Sequence, residues 1–339
     1  MEDVMDTAPL HDMATAAGSD LVFRHIAACV NGSAMSALVV PHALAIARAF
    51  GGRVTVVRVL ECGTTGDVPT DPLEWDIRRR EAREHVEHLV RESGADVPIT
   101  AVVVESRAAD EICLWAERHE VDLMVLSRCD APEPAEWPLA RTLLDQMRGS
   151  VLIVHVPVAT HTLVGRYRRL LVPVDGSSRA ESAVPLAARI AASAAAELLV
   201  AHVVPGPGLT EIGPPDAEDV ELRERITRRN VRVATAYLDR LRAQFAATGP
   251  AHRTMVLQDG DVRTRLERLV EDESVDLVVL SSHGHTGRAG VPYGSVTADL
   301  VLLSSVPLLI VRPRTPHAHT QTRMAKAVLP GRLPHQAAS

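Results

Sequence analysis

Leu170-Leu171-Val172-Pro173-Val174-Asp175-Gly176-Ser177 is an apolar strand that runs straight into an Asp-Gly-Ser turn. The same pattern stands earlier as Ile26-Ala27-Ala28-Cys29-Val30-Asn31-Gly32-Ser33, at an offset of 144. The offset holds into the following helix, where Pro41 matches Pro185, and into the next strand, where residues 54–60 match 198–204. Two homologous units therefore follow one another along the chain.

Within each unit, apolar runs alternate with helical patterns, which is the signature of parallel strands joined by crossover helices and covered on both faces. In the second unit the strands are expected at 169–174, 198–204, 252–257, 275–280 and 307–312, with helices at 179–194, 216–247, 262–273 and after Ser295. The first unit repeats them near 25–30, 54–60, 99–104, 121–126 and 151–156. The fold class is α/β: two tandem doubly wound domains, 22–157 and 166–313, each with a five-stranded parallel sheet. A short junction with Pro157 and Gly165 joins them, and the last strands of the two units are expected to lie side by side as an intramolecular pseudo-dimer. Residues 1–21 and 314–339 lack periodicity and read as disordered.

Composition narrows the function classes. The balance of 36 basic against 43 acidic side chains, without long runs of one sign, argues against a nucleic-acid partner, and 3% aromatic residues are too few for a base-stacking platform. The four cysteines form no C-x-x-C pair, which disfavours a zinc site or a disulfide framework and fits a reduced cytoplasmic location. The first 20 residues hold five acidic side chains and no signal-peptide pattern, and no stretch of about 18 apolar residues suggests a membrane span. Lys326 is the only lysine, so neither a Walker-type loop nor a kinase strand lysine can be assembled.

Chemistry concentrates in 281–295, Ser-Ser-His-Gly-His-Thr-Gly-Arg-Ala-Gly-Val-Pro-Tyr-Gly-Ser, a glycine-rich loop between a strand and a helix. Gly284 and Gly294 permit close backbone approach, and free N–H groups at the next helix start favour an anion such as a phosphate chain. In an open doubly wound sheet the ligand lies beyond the carboxyl ends of the strands. Asp175 is expected there at the ribose end, with the phosphates against Gly284, Gly294 and the Ser295 hydroxyl. Asp175 and Ser177 are also good helix caps, a structural role that does not exclude a ligand. His283 and His285 read as solvent-exposed, Arg288 as either a γ-phosphate contact or a solvated side chain, and the alternating charges of 216–242 as an exposed helix face. At an offset of 154 the first unit puts Asp130 opposite Gly284 and Ala140 opposite Gly294, and adds Pro132, Pro134 and Pro138, which remove donors from its loop.

Both units resemble universal stress protein (UspA-type) domains, and the chain is similar to the tandem members of that family over nearly all of 22–313. The family's G-x2-G-x9-G-[ST] motif appears as Ser281-x2-Gly284-x9-Gly294-Ser295, departing at the first glycine. The resemblance implies a Rossmann-like, adenine nucleotide alpha hydrolase-like fold and a bound ATP, with or without magnesium. It assigns Asp175 as the strand-one aspartate, Val203 as the main chain that meets adenine, and Gly260, Ser281, Gly284, Gly294, Ser295 and Val296 as further ligand contacts. Unit one departs with Asn31 for Asp175 and Ser106 for Gly260. The leading expectation is an ATP-binding regulator in the stress response, with a protein partner of unknown kind and homodimerisation left open. A slow ATPase and a ligand-free interaction protein compete with it. A receiver-like phosphoacceptor is disfavoured by the missing lysine.

Overall fold

The computed structural model describes residues 22–33, 36–61, 71–106, 109–129, 146–147, 149–156, 166–208, 216–245, 250–258, 260–283 and 293–312. The first half contributes β1 (His25–Val30), α1 (Val39–Phe50), β2 (Arg53–Glu61), α2 (Pro72–Glu92), β3 (Ile99–Ser106), α3 (Ala109–Arg118), β4 (Leu123–Cys129) and β5 (Ser150–Val156). The second contributes β6 (Arg169–Pro173), α4 (Ser178–Glu181), α5 (Ala183–Ala194), β7 (Glu197–Val204), α6 (Ala217–Phe245), β8 (His252–Gln258), α7 (Val262–Asp272), β9 (Leu277–Ser281), α8 (Ser295–Leu303) and β10 (Leu308–Val311). Among the described residues no helix is long and apolar enough to cross a membrane.

All ten strands form one sheet, ordered β3-β2-β1-β4-β5-β10-β9-β6-β7-β8. Pairing is parallel throughout each half, and β5 meets β10 antiparallel with Leu308 facing Ile153 and Ile310 facing Val151. The expected side-by-side arrangement of the last strands is therefore present. It removes two edges that would otherwise expose unpaired backbone groups.

Strict alternation sends the strand side chains into two cores. Ile26, Ala28 and Val30 pack with Leu170, Val172 and the helices α1, α5 and α6 on one face. Ala27, Cys29 and Leu171 pack with residues of α3, α7 and α8 on the other. Strands buried on both faces are the reason the sequence shows continuous apolar runs and not period-two patterns.

Side chains reinforce the junction between the halves. Arg189 donates from Nε to the Ala49 carbonyl at 2.8 Å, and its guanidinium lies 4.8 Å from the Phe50 ring centroid. His42 Nδ1 and the Tyr167 hydroxyl are 2.7 Å apart, both buried. Arg128, at the end of β4, donates to the Val301 carbonyl in the last turn of α8. Arg312 reaches back to the Met147 carbonyl.

Two element boundaries differ from the sequence expectation. The helix expected over 179–194 breaks at Ser182 into α4 and α5. Pro185, third residue of α5, has no N–H to offer the carbonyl four residues back, and its ring crowds that carbonyl. Pro41 holds the same place in α1, which is likewise preceded by a short 3-10 turn at Ser36–Leu38. The strands expected at 121–126 and 275–280 begin two residues later, at Leu123 and Leu277. In each repeat the aspartate before the strand is a tie to the neighbouring strand: Asp122 accepts from the Arg24 and His25 amides, and Asp276 from the Arg168 and Arg169 amides. Residues 1–21 and 314–339 lie outside the described residues.

Candidate functional site

From β6 the chain winds outward through β7 to β8, whereas β9 lies on the other side of β6 and leads to β10. Strand order thus reverses between β6 and β9, which is where an open α/β sheet leaves a crevice. Asp175 follows β6 on one side of that gap, and α8 starts after β9 on the other.

The turn after β6 is built by its own residues. Asp175 Oδ1 accepts from the Ser177 amide at 3.0 Å and from the Ser177 hydroxyl at 2.6 Å. Ser177 Oγ in turn caps α4 by accepting from the Ala180 amide at 3.1 Å. Gly176 has φ +84°, a left-handed conformation that explains the glycine. The first half keeps the same turn, with the Ser33 amide on Asn31 Oδ1 at 2.9 Å and Gly32 at φ +98°. The Asx-Gly-Ser pattern is therefore a structural device in both halves, and the carboxylate is what only the second half adds. Asp175 itself is exposed.

Val203 sits near the end of β7 with its side chain buried. The Leu198 amide bonds to the Ala251 carbonyl of the β8 side, whereas the Ala201 carbonyl receives the Val174 amide on the β6 side. Backbone groups alternate along a parallel strand, so Val203 turns both its N–H and its C=O toward β6. Because β6 stops at Pro173, paired with Ala201, those two groups face the crevice and not a strand.

Among the described residues no side chain caps the start of α8. Gly294 occupies the N-cap in extended conformation, and its own amide donates to the Ser282 carbonyl at 2.8 Å. By contrast, α4 and α7 are capped by Ser177 and Asp261. The first-turn amides of Ser295 and Val296 are thus left to whatever lies beyond the helix, where the helix dipole favours negative charge. Ser295 is exposed, and Val296 is partly buried against the core.

Two expected contacts have a different setting. Ser281 is the last residue of β9, buried and in register with Val311, and its carbonyl accepts from the Thr297 hydroxyl at 3.3 Å. It anchors the loop's first end to α8 from within the sheet. Gly260 follows β8, at the outer edge of the sheet, with φ +119° just before the Asp261 cap. Its backbone requires glycine independently of any ligand. Gly284, His285, Arg288 and, in the first half, Asp130 with its three prolines fall outside the described residues.

Sequence reasoning passed over a group beside Asp175. His202 Nδ1 lies 2.8 Å from the Val174 carbonyl, and its ring meets Tyr237 of α6 edge-on with centroids 6.0 Å apart. Burial, followed by the charges of Glu181 and Asp175, raises the Tyr237 hydroxyl well above the usual tyrosine value and keeps it protonated. The 144 offset was the available signal, because it aligns His202 with Arg58 and shows that the two halves differ at that position.

Comparison with known proteins agrees with this architecture. The model of the universal stress protein family matches the chain twice, over 23–155 and 166–312. The chain is similar to the universal stress protein YxiE of Bacillus subtilis, with 27% identity over 152 residues that make up 43% of this chain and 99% of that protein. A universal stress protein of Archaeoglobus fulgidus superposes with a TM-score of 0.60 at 15% identity, covering 87% of this chain and 98% of that one. A universal stress protein solved in complex with cAMP, 18% identical, covers 40% of this chain and 98% of its own with a TM-score of 0.30. Matched by the family model in both halves, the chain belongs to the universal stress protein family.

Proposed function

We propose that the second unit, 166–313, binds one adenine nucleotide, ATP with or without magnesium, and that occupancy regulates this protein in the stress response, the first unit, 22–157, being a degenerate copy. The observation that carries the reading is two sets of backbone groups facing one crevice: the N–H and C=O of Val203, beyond the last β6–β7 pair, and the start of α8, which no side chain caps, across the switch point. An adenine edge offers a donor and an acceptor that complement the first. A phosphate chain complements the second.

In this reading Val203 holds the base and the Asp175 carboxylate accepts from the ribose hydroxyls. Gly284, Gly294, Ser295 and Val296 surround the phosphates, while Ser281 and Gly260 fix the two rims. The strand spacing of about 4.8 Å puts roughly 14 Å between the ends of β9 and β8, so the contacts spread along an extended ligand. The site is one of holding: hydrolysis is expected to be far slower than the roughly 1–100 s⁻¹ of kinases. Mass spectrometry of nucleotide carried through purification, followed by calorimetric titration with ATP, tests the reading. Absence of both co-purified and titratable adenine nucleotide would refute it.

A further inference from the structure

The mouths of the two crevices carry different charge at equivalent positions. In the second half the acid Asp175 stands beside His202, which is folded onto the Val174 carbonyl. Among the described residues nothing lies within 4 Å of where a Cβ on Gly176 would project. In the first half the acid is the amide Asn31, and the residue equivalent to His202 is Arg58, paired in register with Val30. Its guanidinium lies against the turn: a Cβ on Gly32 would meet Arg58 Nη2 at 2.8 Å and Cζ at 3.0 Å.

Arg58 is half-buried, and among the described residues it has no hydrogen bond or ion pair. Glu105 of β3 is paired instead with Arg79 of α2 at 2.7 Å. His85 of α2 also faces Arg58: burial first, then the Arg58 charge, lowers its pKa, and its Nε2 is enclosed without a partner. The guanidinium carries five donors in a planar fork, and a half-buried cation without an acceptor is unfavourable. Among the described residues, a neutral imidazole stands beside it and an amide replaces the carboxylate of the other half, so neither position repels an anion.

We propose that the carboxyl-end crevice of the first half binds a small oxyanion, the carboxylate or phosphate group of a metabolite, received by the Arg58 guanidinium above the Asn31-Gly32-Ser33 turn. Two parallel N–H···O bonds from the fork suit either group. The site is independent of the nucleotide reading for the second half, and gives the first unit a ligand of its own chemistry.

Inorganic phosphate and, separately, acetate are titrated calorimetrically into the full chain and into Arg58→His, Arg58→Lys and Gly294→Asp variants, with circular dichroism to verify the fold. Arg58→His copies the residue that the second half already carries beside the same turn. The parent should bind at least one of the two anions, Arg58→His at least tenfold more weakly, and Arg58→Lys in between, because it keeps the charge and loses the fork. Gly294→Asp should remove ATP binding, together with any anion held at the start of α8, and leave the Arg58-dependent binding unchanged, so the two sites can fail separately. Equal affinity in Arg58→His, loss of the Arg58-dependent binding in Gly294→Asp, or no binding of either anion by the parent at millimolar concentration would overturn the proposal.

Discussion

Acidification should loosen the joint between the halves through one buried histidine. His42 is fully enclosed with its Nδ1 on the Tyr167 hydroxyl, and burial lowers its pKa from 6.5 to about 4. With the imidazole proton on Nε2, the Tyr167 hydroxyl donates to Nδ1, so protonation both charges a buried ring and removes the acceptor. The unfolded state binds the proton more readily, so stability is fully present above pH 6.5 and falls as the pH drops toward 4. The full difference of 2.5 units corresponds to about 3 kcal/mol, of which about 2 kcal/mol is lost by pH 5. The repeat supplies the control, since the equivalents of His42 and Tyr167 in the other half are Leu186 and Phe23, both buried. Urea unfolding at pH 7.5 and pH 5 should show the parent losing about 2 kcal/mol more than the His42→Leu/Tyr167→Phe double variant. Tyr167→Phe alone, which strands the imidazole acceptor, should cost about 1–3 kcal/mol at pH 7.5. A double variant with the parent's full pH dependence would refute the reasoning.

Calorimetry with ATP should give one site per chain, and two equivalent sites would contradict the assignment of the first half as a degenerate copy. Gly294→Asp should abolish ATP binding and yet raise thermal stability by a few tenths of a kcal/mol, because aspartate caps the helix that the nucleotide would otherwise meet; a variant that binds normally removes α8 from the site. Asp276→Ala, which leaves the Arg168 and Arg169 amides without their acceptor, should destabilise the chain by about 2–3 kcal/mol in urea unfolding. A loss under 0.5 kcal/mol, the range of an ordinary surface change, would show that the tie is dispensable.

The tandem α/β architecture was legible because repetition amplified weak local signals: one apolar run ending in Asx-Gly-Ser is ambiguous, and two at a constant offset through a matched proline are not. The same proline marked the helix break at Ser182, but a helical periodicity on both sides concealed it. The aspartates of Val121-Asp122-Leu123 and Val275-Asp276-Leu277 served well for alignment, yet their work as acceptors for a neighbouring strand depends on contacts about a hundred residues away. At the candidate site, residue types identified Asp175 and Gly294, whereas the orientation of the Val203 backbone followed only from knowing that β6 is shorter than β7. Arg58 escaped notice because an isolated arginine in an arginine-rich chain carries no signal until its equivalent is seen to be a histidine.

The antiparallel meeting of β5 and β10 has a directional consequence. All strands of one half point one way across the shared sheet and all strands of the other point back, so their carboxyl ends emerge at opposite rims of the molecule. A ligand at Asp175 and a ligand at Arg58 therefore look out on different surroundings and cannot touch, compete for space or be bridged by one small molecule. Any influence of one on the other has to pass through the body of the protein, along the sheet through β9, β10, β5 and β4, where Arg128 holds the carbonyl end of α8, or through the packed helices α1 and α5. A surface that covers one rim therefore leaves the other rim uncovered.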